Sequence, residues 1–243
     1  MSGHSKWKNI MHKKEKTDLQ RAKIFTKIGK EMAIAVREGG PDPVSNSKLK
    51  DLIQKAKSNN VPNDNIERII KKAAGGNDGA NYESLNYEGY GPSGVAVIVE
   101  ATTDNRNRTG ADMRHYFDKF GGNLGQTGCV SFMFSDKGLI VISAEGVDEE
   151  QLMDDALMAG AEDILSEGDV FEIYTASQDF SSVCEALEQE GYTFLSAEQT
   201  KIPANYVTLD NEEDIAKMNK LLEHLEDNDD VMNVWHNWDN EDE

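Results

Sequence analysis

Leu139-Ile140-Val141-Ile142-Ser143 opens the stretch that decides how the rest of the chain is parsed. This short, nearly continuous apolar run has strand length and aliphatic, largely β-branched composition. Asp148 to Ala159 then reads as a helix, and Asp163 to Ser166 and Val170 to Ala176 read as strands. Phe180 to Glu190 reads as a second helix and Phe194 to Ile202 as a closing strand. The order is β-α-β-β-α-β, which is ferredoxin-like, about 65 residues long and able to supply its own core.

Upstream of that unit, Tyr82 to Tyr90 and Val95 to Thr103 read as strands joined at Gly91-Pro92-Ser93-Gly94, the pattern of a hairpin. Met113, Tyr116, Phe117 and Phe120 share a helical face that stops at Gly121-Gly122, and Val130 to Phe134 returns to strand. Downstream remain a strand from Tyr206 to Leu209, a helix from Glu212 to Leu225 and a strand from Val231 to Trp235. Two strands and a helix make a poor domain alone, so this tail is expected to rejoin the hairpin, leaving the ferredoxin-like unit inserted within it.

The amino-terminal part is helical. From Thr17 to Arg37, Phe25, Ile28, Met32 and Val36 recur with a period near 3.6, giving one buried stripe. Gly39-Gly40-Pro41-Asp42-Pro43 stops that helix, and Leu49, Leu52, Ile53 and Ala56 mark a second one started by Asn46 or Ser47. A third follows Pro62, with Asn63 as its cap, Asp64 and Glu67 at capping-box spacing, and Gly75-Gly76 at its end. The fold class is therefore α+β and multi-domain: a three-helix domain over residues 1–79, a discontinuous α/β domain over 80–135 plus 203–243, and an inserted ferredoxin-like α/β domain over 136–202.

Composition narrows the class. The 243 residues are 38% hydrophobic and 29% charged, with 5 Pro and 20 Gly, which excludes collagenous, mucin-like and wholly disordered chains. No apolar run is longer than that of Val95 to Val99, which is strand-sized and far short of a membrane span, so no membrane association is expected. Met1 to Lys8 is polar and basic rather than a secretory signal, and Cys129 and Cys184 form no CxxC pattern. A reducing cytoplasmic setting is the expectation.

Charge is divided along the chain, and the division points to a polyanion. The net charge is −20, yet Met1 to Ala74 holds 17 Lys and Arg against 8 Asp and Glu, leaving 8 against 37 for the remainder. A chain so polarised presents one attractive and one repelling part to nucleic acid. Lys6, Lys8, Lys13, Lys14, Lys16, Arg21, Lys23, Lys27 and Lys30 run with only Glu15 and Asp18 among them, whereas a merely solvating face mixes signs. The third helix adds Arg68, Lys71 and Lys72, which suit phosphates more than base edges. Trp7, between Lys6 and Lys8, is placed either to stack on a base or to pin the arm onto the helical domain.

Catalytic constellations are not evident. His4, His12, His115, His224 and His236 have no paired ligand spacing, the acidic runs lack a calcium-loop pattern, and neither cysteine has an activating neighbour in sequence. No metal or cofactor is expected. Gly121 to Gly128 lacks the ending of a phosphate-binding loop and reads as turn chemistry. Asn105, Arg106, Asn107 and Arg108 lie between a strand and a helix, where they suit either an anion site or helix capping with arginines paired to local acids. The ferredoxin-like unit is acidic, and Val170 to Tyr174 lacks the signature of an RNA-recognition motif, so a protein-contact role suits it better.

Met1-Ser2-Gly3-His4-Ser5-Lys6-Trp7-Lys8-Asn9-Ile10, Lys23-Ile24-Phe25-Thr26-Lys27, Pro62-Asn63-Asp64-Asn65-Ile66-Glu67-Arg68, Tyr87-Glu88-Gly89-Tyr90-Gly91-Pro92 and Thr103-Asp104-Asn105-Arg106-Asn107-Arg108-Thr109, with Gly39 to Pro43, closely resemble the YebC family over nearly the whole chain. Ala22 stands where many relatives carry glycine, and Cys129 where Ser or Ala is common. The resemblance implies a helical domain and two α/β domains around a cleft, in a non-enzymatic cytoplasmic protein. It implies a DNA-binding transcriptional regulator or, as in other members, a ribosome-associated factor that binds ribosomal RNA and relieves stalling at sequences such as proline runs. Mitochondrial relatives are translational activators. The expected function is a nucleic-acid-binding regulator of gene expression acting on DNA, with ribosomal RNA as the alternative and protein partners on the acidic domains. An enzyme with an anion held by Arg106 and Arg108 in the interdomain cleft is the remaining alternative.

Overall fold

The structure, a computed structural model, describes residues 18–75 and 82–239, with side chains of the first helix from Lys23 onward. Two compact units divide them: residues 18–133 with 205–239, and residues 134–204. The first unit holds both the helical bundle and the first sheet.

In the bundle, α1 (Asp18–Gly39), α2 (Ser47–Ser58) and α3 (Asn63–Ala74) bury the stripes that the periodicity marks: Ile28, Met32 and Val36 meet Leu49, Leu52, Ala56, Ile66 and Ala73. Asn46 is 6% exposed and joins two helices. Its side-chain oxygen accepts from Leu49 N at 3.0 Å, capping α2, while its amide donates to the carbonyls of Ala35 and Gly40, each at 2.8 Å, closing the end of α1. At α3 the expected cap is displaced by one residue. Pro62 occupies the cap position without a side-chain bond, and Asn63 is already helical.

The first sheet has the order β3-β1-β2-β8, where β1 is Glu83–Tyr90, β2 Ala96–Thr103, β3 Asn123–Leu124 and β8 Val231–His236. β1 and β2 pair antiparallel from Glu83 opposite Thr103 to Tyr90 opposite Ala96, around a 3-10 turn at Pro92–Gly94. Two helices, α4 (Arg106–Lys119) and α7 (Glu212–Asp227), carry the residues that complete the core: Met113, Phe117, Met218, Leu221 and Leu225 pack with Val95, Val97 and Val99. Two expected strands differ. Of Val130 to Phe134, only Phe134 is in a strand, the start of the next one; Val130 to Met133 is a bend and a 3-10 turn (Ser131–Met133), the backbone N–H groups of Val130 and Ser131 going to the carboxylate of Glu88 rather than to a neighbouring strand. Tyr206 to Leu209 contributes only a bridge between Val207 and Trp238.

The unit 134–204 runs β4 (Phe134–Ser143), α5 (Glu149–Ala159), β5 (Asp163–Glu167), β6 (Val170–Ala176), α6 (Phe180–Gln189) and β7 (Phe194–Pro203). Its sheet order β5-β6-β4-β7, antiparallel throughout, is that of a ferredoxin-like sheet. Ile140, Ile142, Phe171 and Ile173 face the helices and pack on Leu152, Ala156, Val183 and Leu187. The alternation of strand side chains sends Leu139, Val141, Val170 and Tyr174 to the opposite face. β4 begins five residues before its apolar run, since Phe134 and the polar residues Ser135 to Lys137 pair with Pro203 to Thr200. At Gly138 a Cβ would lie 2.9 Å from Phe180 Cβ, so the close approach of α6 to β4 requires glycine there. Cys184 is buried in α6, whereas Cys129 lies in the bend after β3 and not in a strand.

Candidate nucleic-acid interface

The period of α1 places Lys23, Lys27 and Lys30 on one side of the helix. That side meets the last turn of α7 and the acidic turn that follows it. Lys23 Nζ donates to Asp227 Oδ1 at 3.0 Å, Lys27 Nζ to the Glu226 carbonyl at 2.7 Å, and Lys30 Nζ to the Asp229 carbonyl at 2.8 Å. The last turn of a helix has unmet carbonyls and a partial negative charge, so cations there are stabilising. Three of the lysines read as polyanion contacts therefore engage the end of another helix about 200 residues away in sequence.

Asp230 is the centre of this arrangement. Its carboxylate accepts from Lys30 Nζ at 3.0 Å, Arg108 at 2.7 Å, Thr109 Oγ1 at 2.9 Å and Thr103 Oγ1 at 3.2 Å. Burial works against its charge, but the bonds from Arg108, Lys30 and Thr109 prevail and bring its pKa down to about 2. The Asn105 to Arg108 segment resolves accordingly. Asn105 caps α4 by accepting from Arg108 N at 3.1 Å, and the Arg108 guanidinium is held by Asp104 at 3.0 Å as well as by Asp230. Arg106 and Asn107 face solvent on the first turn of α4.

α3 turns a polar side outward. Its apolar side is in the core through Ile66 and Ala73, while Arg68, Lys71 and Lys72 are exposed on the polar side. Arg68 donates to Asn65 Oδ1 at 3.1 Å and Lys71 stands 3.8 Å from Glu67, both contacts being local and solvent-facing. Such surface contacts are weak and exchange readily for a phosphate oxygen. Lys6, Trp7, Lys8, Lys13, Lys14 and Lys16 lie outside the described residues, as does the side chain of Arg21 in α1.

One site had no sequence signal. Glu88 is 4% exposed in β1 and accepts from the backbone N–H groups of Gly128 at 2.8 Å, Val130 at 3.0 Å and Ser131 at 2.8 Å. Burial disfavours its charge, yet the three donors outweigh it and hold its carboxyl below the ordinary range. The bend so fixed projects Phe132, 77% exposed, into solvent. Neither the alternation of β1 nor the glycines of the loop reveal this, because the partners are backbone groups some 40 residues on.

The family models agree with this architecture. The TACO1/YebC protein N-terminal domain matches residues 5–76, and the TACO1/YebC second and third domain matches residues 82–238. The chain belongs to the TACO1/YebC family. Among TACO1/YebC relatives, a probable transcriptional regulatory protein of Acetivibrio thermocellus is 62% identical over 239 residues, spanning 98% of this chain and 99% of its own. Another of that description, from Finegoldia magna, is 56% identical over 241 residues, spanning 99% of this chain and 100% of its own. A crystal structure of a conserved hypothetical protein from Aquifex aeolicus is 47% identical and superposes with a TM-score of 0.82 over 93% of each chain.

Proposed function

We propose that this TACO1/YebC chain is a nucleic-acid-binding regulator of gene expression that holds the phosphate backbone of DNA through its helical domain. The observation that carries the reading is the outward cationic stripe of α3, Arg68, Lys71 and Lys72, on a bundle whose apolar stripes are already buried. Lys6, Lys8, Lys13, Lys14, Lys16 and Arg21 raise the positive potential of the same part of the chain. Lys23, Lys27 and Lys30 shape the fold instead, since each is bonded to the last turn of α7 or to the turn after it. The names of the Acetivibrio thermocellus and Finegoldia magna relatives support a role in transcription.

Phosphate contacts fix position without reading sequence, so binding is weak, salt-sensitive and broad in sequence. Titration of the full chain against a labelled DNA duplex and a ribosomal RNA fragment, over a range of salt, tests it. The expected result is affinity for the duplex that falls by roughly tenfold or more between 50 and 200 mM salt. A salt-independent affinity overturns the reading, and binding confined to the ribosomal fragment moves the protein from transcription to translation.

A further inference from the structure

The two sides of α5 differ in what they do for the fold. Leu152 and Ala156 fill the core beneath it, and Asp155, on its flank, accepts from Tyr192 Oη at 2.7 Å. The opposite side carries two neighbouring rows with a spacing of four: Glu149, Met153 and Leu157 in one, Glu150, Asp154 and Met158 in the next. All six residues are exposed. The glutamates complement the positive end of the helix, but the apolar three serve no packing, with Met153 42% exposed, Leu157 55% and Met158 88%. One such side chain on a surface is ordinary, whereas three adjoining ones form a patch.

The charge around the patch has a single sign. From Gly138 to Thr200 the chain has 16 Asp and Glu and no Lys, Arg or His. The lysines just outside that stretch, Lys137 and Lys201, are held by Glu162 and Asp136. A field of one sign draws in cations and turns anions away. We propose that the outer face of α5 docks a basic amphipathic segment of another protein. Charge selects this occupant: nucleic acid and anionic lipid are repelled, and a second copy of α5 set against the first by a two-fold axis would bring carboxylates opposite carboxylates. Lys and Arg on the partner meet Glu149, Glu150 and Asp154, while its apolar anchors meet Met153, Leu157 and Met158.

The acids lie toward the start of α5 and the apolar side chains toward its end, so the partner is read with a direction. From Glu149 to Met158 the face is about 14 Å long, which suits about ten residues of a partner helix with anchors three or four apart. Methionine side chains adapt to differently shaped anchors. A face this small gives a transient contact that weakens as salt rises. It is built from other residues than the cations of α3 and does not rest on the DNA reading.

Photo-crosslinking of the full chain in the cells that naturally express it tests the proposal. Leu157→benzoylphenylalanine, irradiated and mapped by mass spectrometry, is expected to join a protein at a peptide with more Lys and Arg than Asp and Glu. The yield should fall at least tenfold when Glu149→Lys, Glu150→Lys and Asp154→Lys are added. No adduct, adducts to nucleic acid or between two copies of the chain, or a yield that the added lysines leave unchanged overturns it. A second readout uses a fluorescent peptide of leucine and lysine, about 14 residues long, with its leucines on one helical face. The full chain should bind it at least fivefold more tightly than the same residues in scrambled order. Met153→Ser with Leu157→Ser and Met158→Ser should abolish that difference and leave the midpoint of urea unfolding unchanged. Equal affinity for the two peptides, or a lowered midpoint, which would assign these side chains to the fold, also overturns it.

Discussion

Lys30 Nζ lies 3.0 Å from Asp230 Oδ1, between side chains that are only 13% and 9% exposed. This pair ties α1 of the bundle to the turn between α7 and β8, and Asp230 passes the connection on to Arg108 and Thr109 at the start of α4. Removing the aspartate leaves the enclosed Lys30 ammonium without its carboxylate, which is the costly way to break a buried ion pair, while Arg108, 48% exposed, keeps Asp104. Asp230→Ala is expected to lower the stability of the full chain by roughly 3 kcal/mol in urea titration. A loss under about 0.5 kcal/mol, the scale of ordinary surface changes, contradicts the role given to it.

The same carboxylate makes stability depend on acid. Its pKa is lowered from 3.8 to about 2 in the fold, so it favours the folded state fully above about pH 4, and that contribution fades as pH falls toward 2. The difference corresponds to about 2 kcal/mol. In acid titrations followed by circular dichroism, Asp230→Asn should be less stable than wild type at pH 7 and converge with it near pH 2. Parallel curves would show that another group sets the acid limit.

Charge reversal separates the two sets of cations. Lys23→Glu with Lys27→Glu and Lys30→Glu should destabilise the protein by roughly 3 kcal/mol, because like charges then face the end of α7. Arg68→Glu with Lys71→Glu and Lys72→Glu should change stability by less than about 1 kcal/mol, yet reduce the salt slope of DNA binding by about 3. The paired measurements are denaturant titration and binding across a salt series. Unchanged binding by the α3 variant would remove α3 from the interface.

Glu88 is expected to govern the bend after β3. Glu88→Gln keeps one acceptor oxygen but turns an N–H group toward backbone donors, at a cost of about 2 kcal/mol. Amide exchange at Gly128, Val130 and Ser131 should accelerate while that of β2 stays slow. Since the carboxyl sits below its ordinary range, protection of these amides is complete at neutral pH and declines as acid protonates it.

Asn46→Ala removes an oxygen that caps α2 and an amide that meets two carbonyls of α1, and is expected to cost about 2 kcal/mol. Asn46→Asp retains the acceptor alone and should fall between alanine and wild type in thermal unfolding. Equal losses for the two variants would show that the cap contributes nothing.

Elements with a strong repeat were legible in the residues. Val36, Met32 and Ile28 mark α1 because only a helix brings them to one side, and Ile140 and Ile142 mark β4 by falling on the same side of a strand. Legibility failed where polar groups decide. The start of β4 is held by pairing with β7, and the segment from Val130 to Met133 looks like a strand until Glu88 takes the donors of Val130 and Ser131. The candidate site behaved likewise. A lysine on α1 and one on α3 look alike in sequence, and only the partner 200 residues away tells Lys30 from Lys71.

From the order of residues alone came the helices and strands, the ferredoxin-like succession and the division of charge, all of which depend on local spacing and composition, and the family, which rests on the resemblance of its motifs. Tertiary structure alone decided which cations face solvent, that Arg108 serves Asp230, and that Glu88 shapes a loop. The reason is that an ion pair or a backbone bond joins whatever the folded chain brings within about 3 Å, and sequence distance carries no record of that approach.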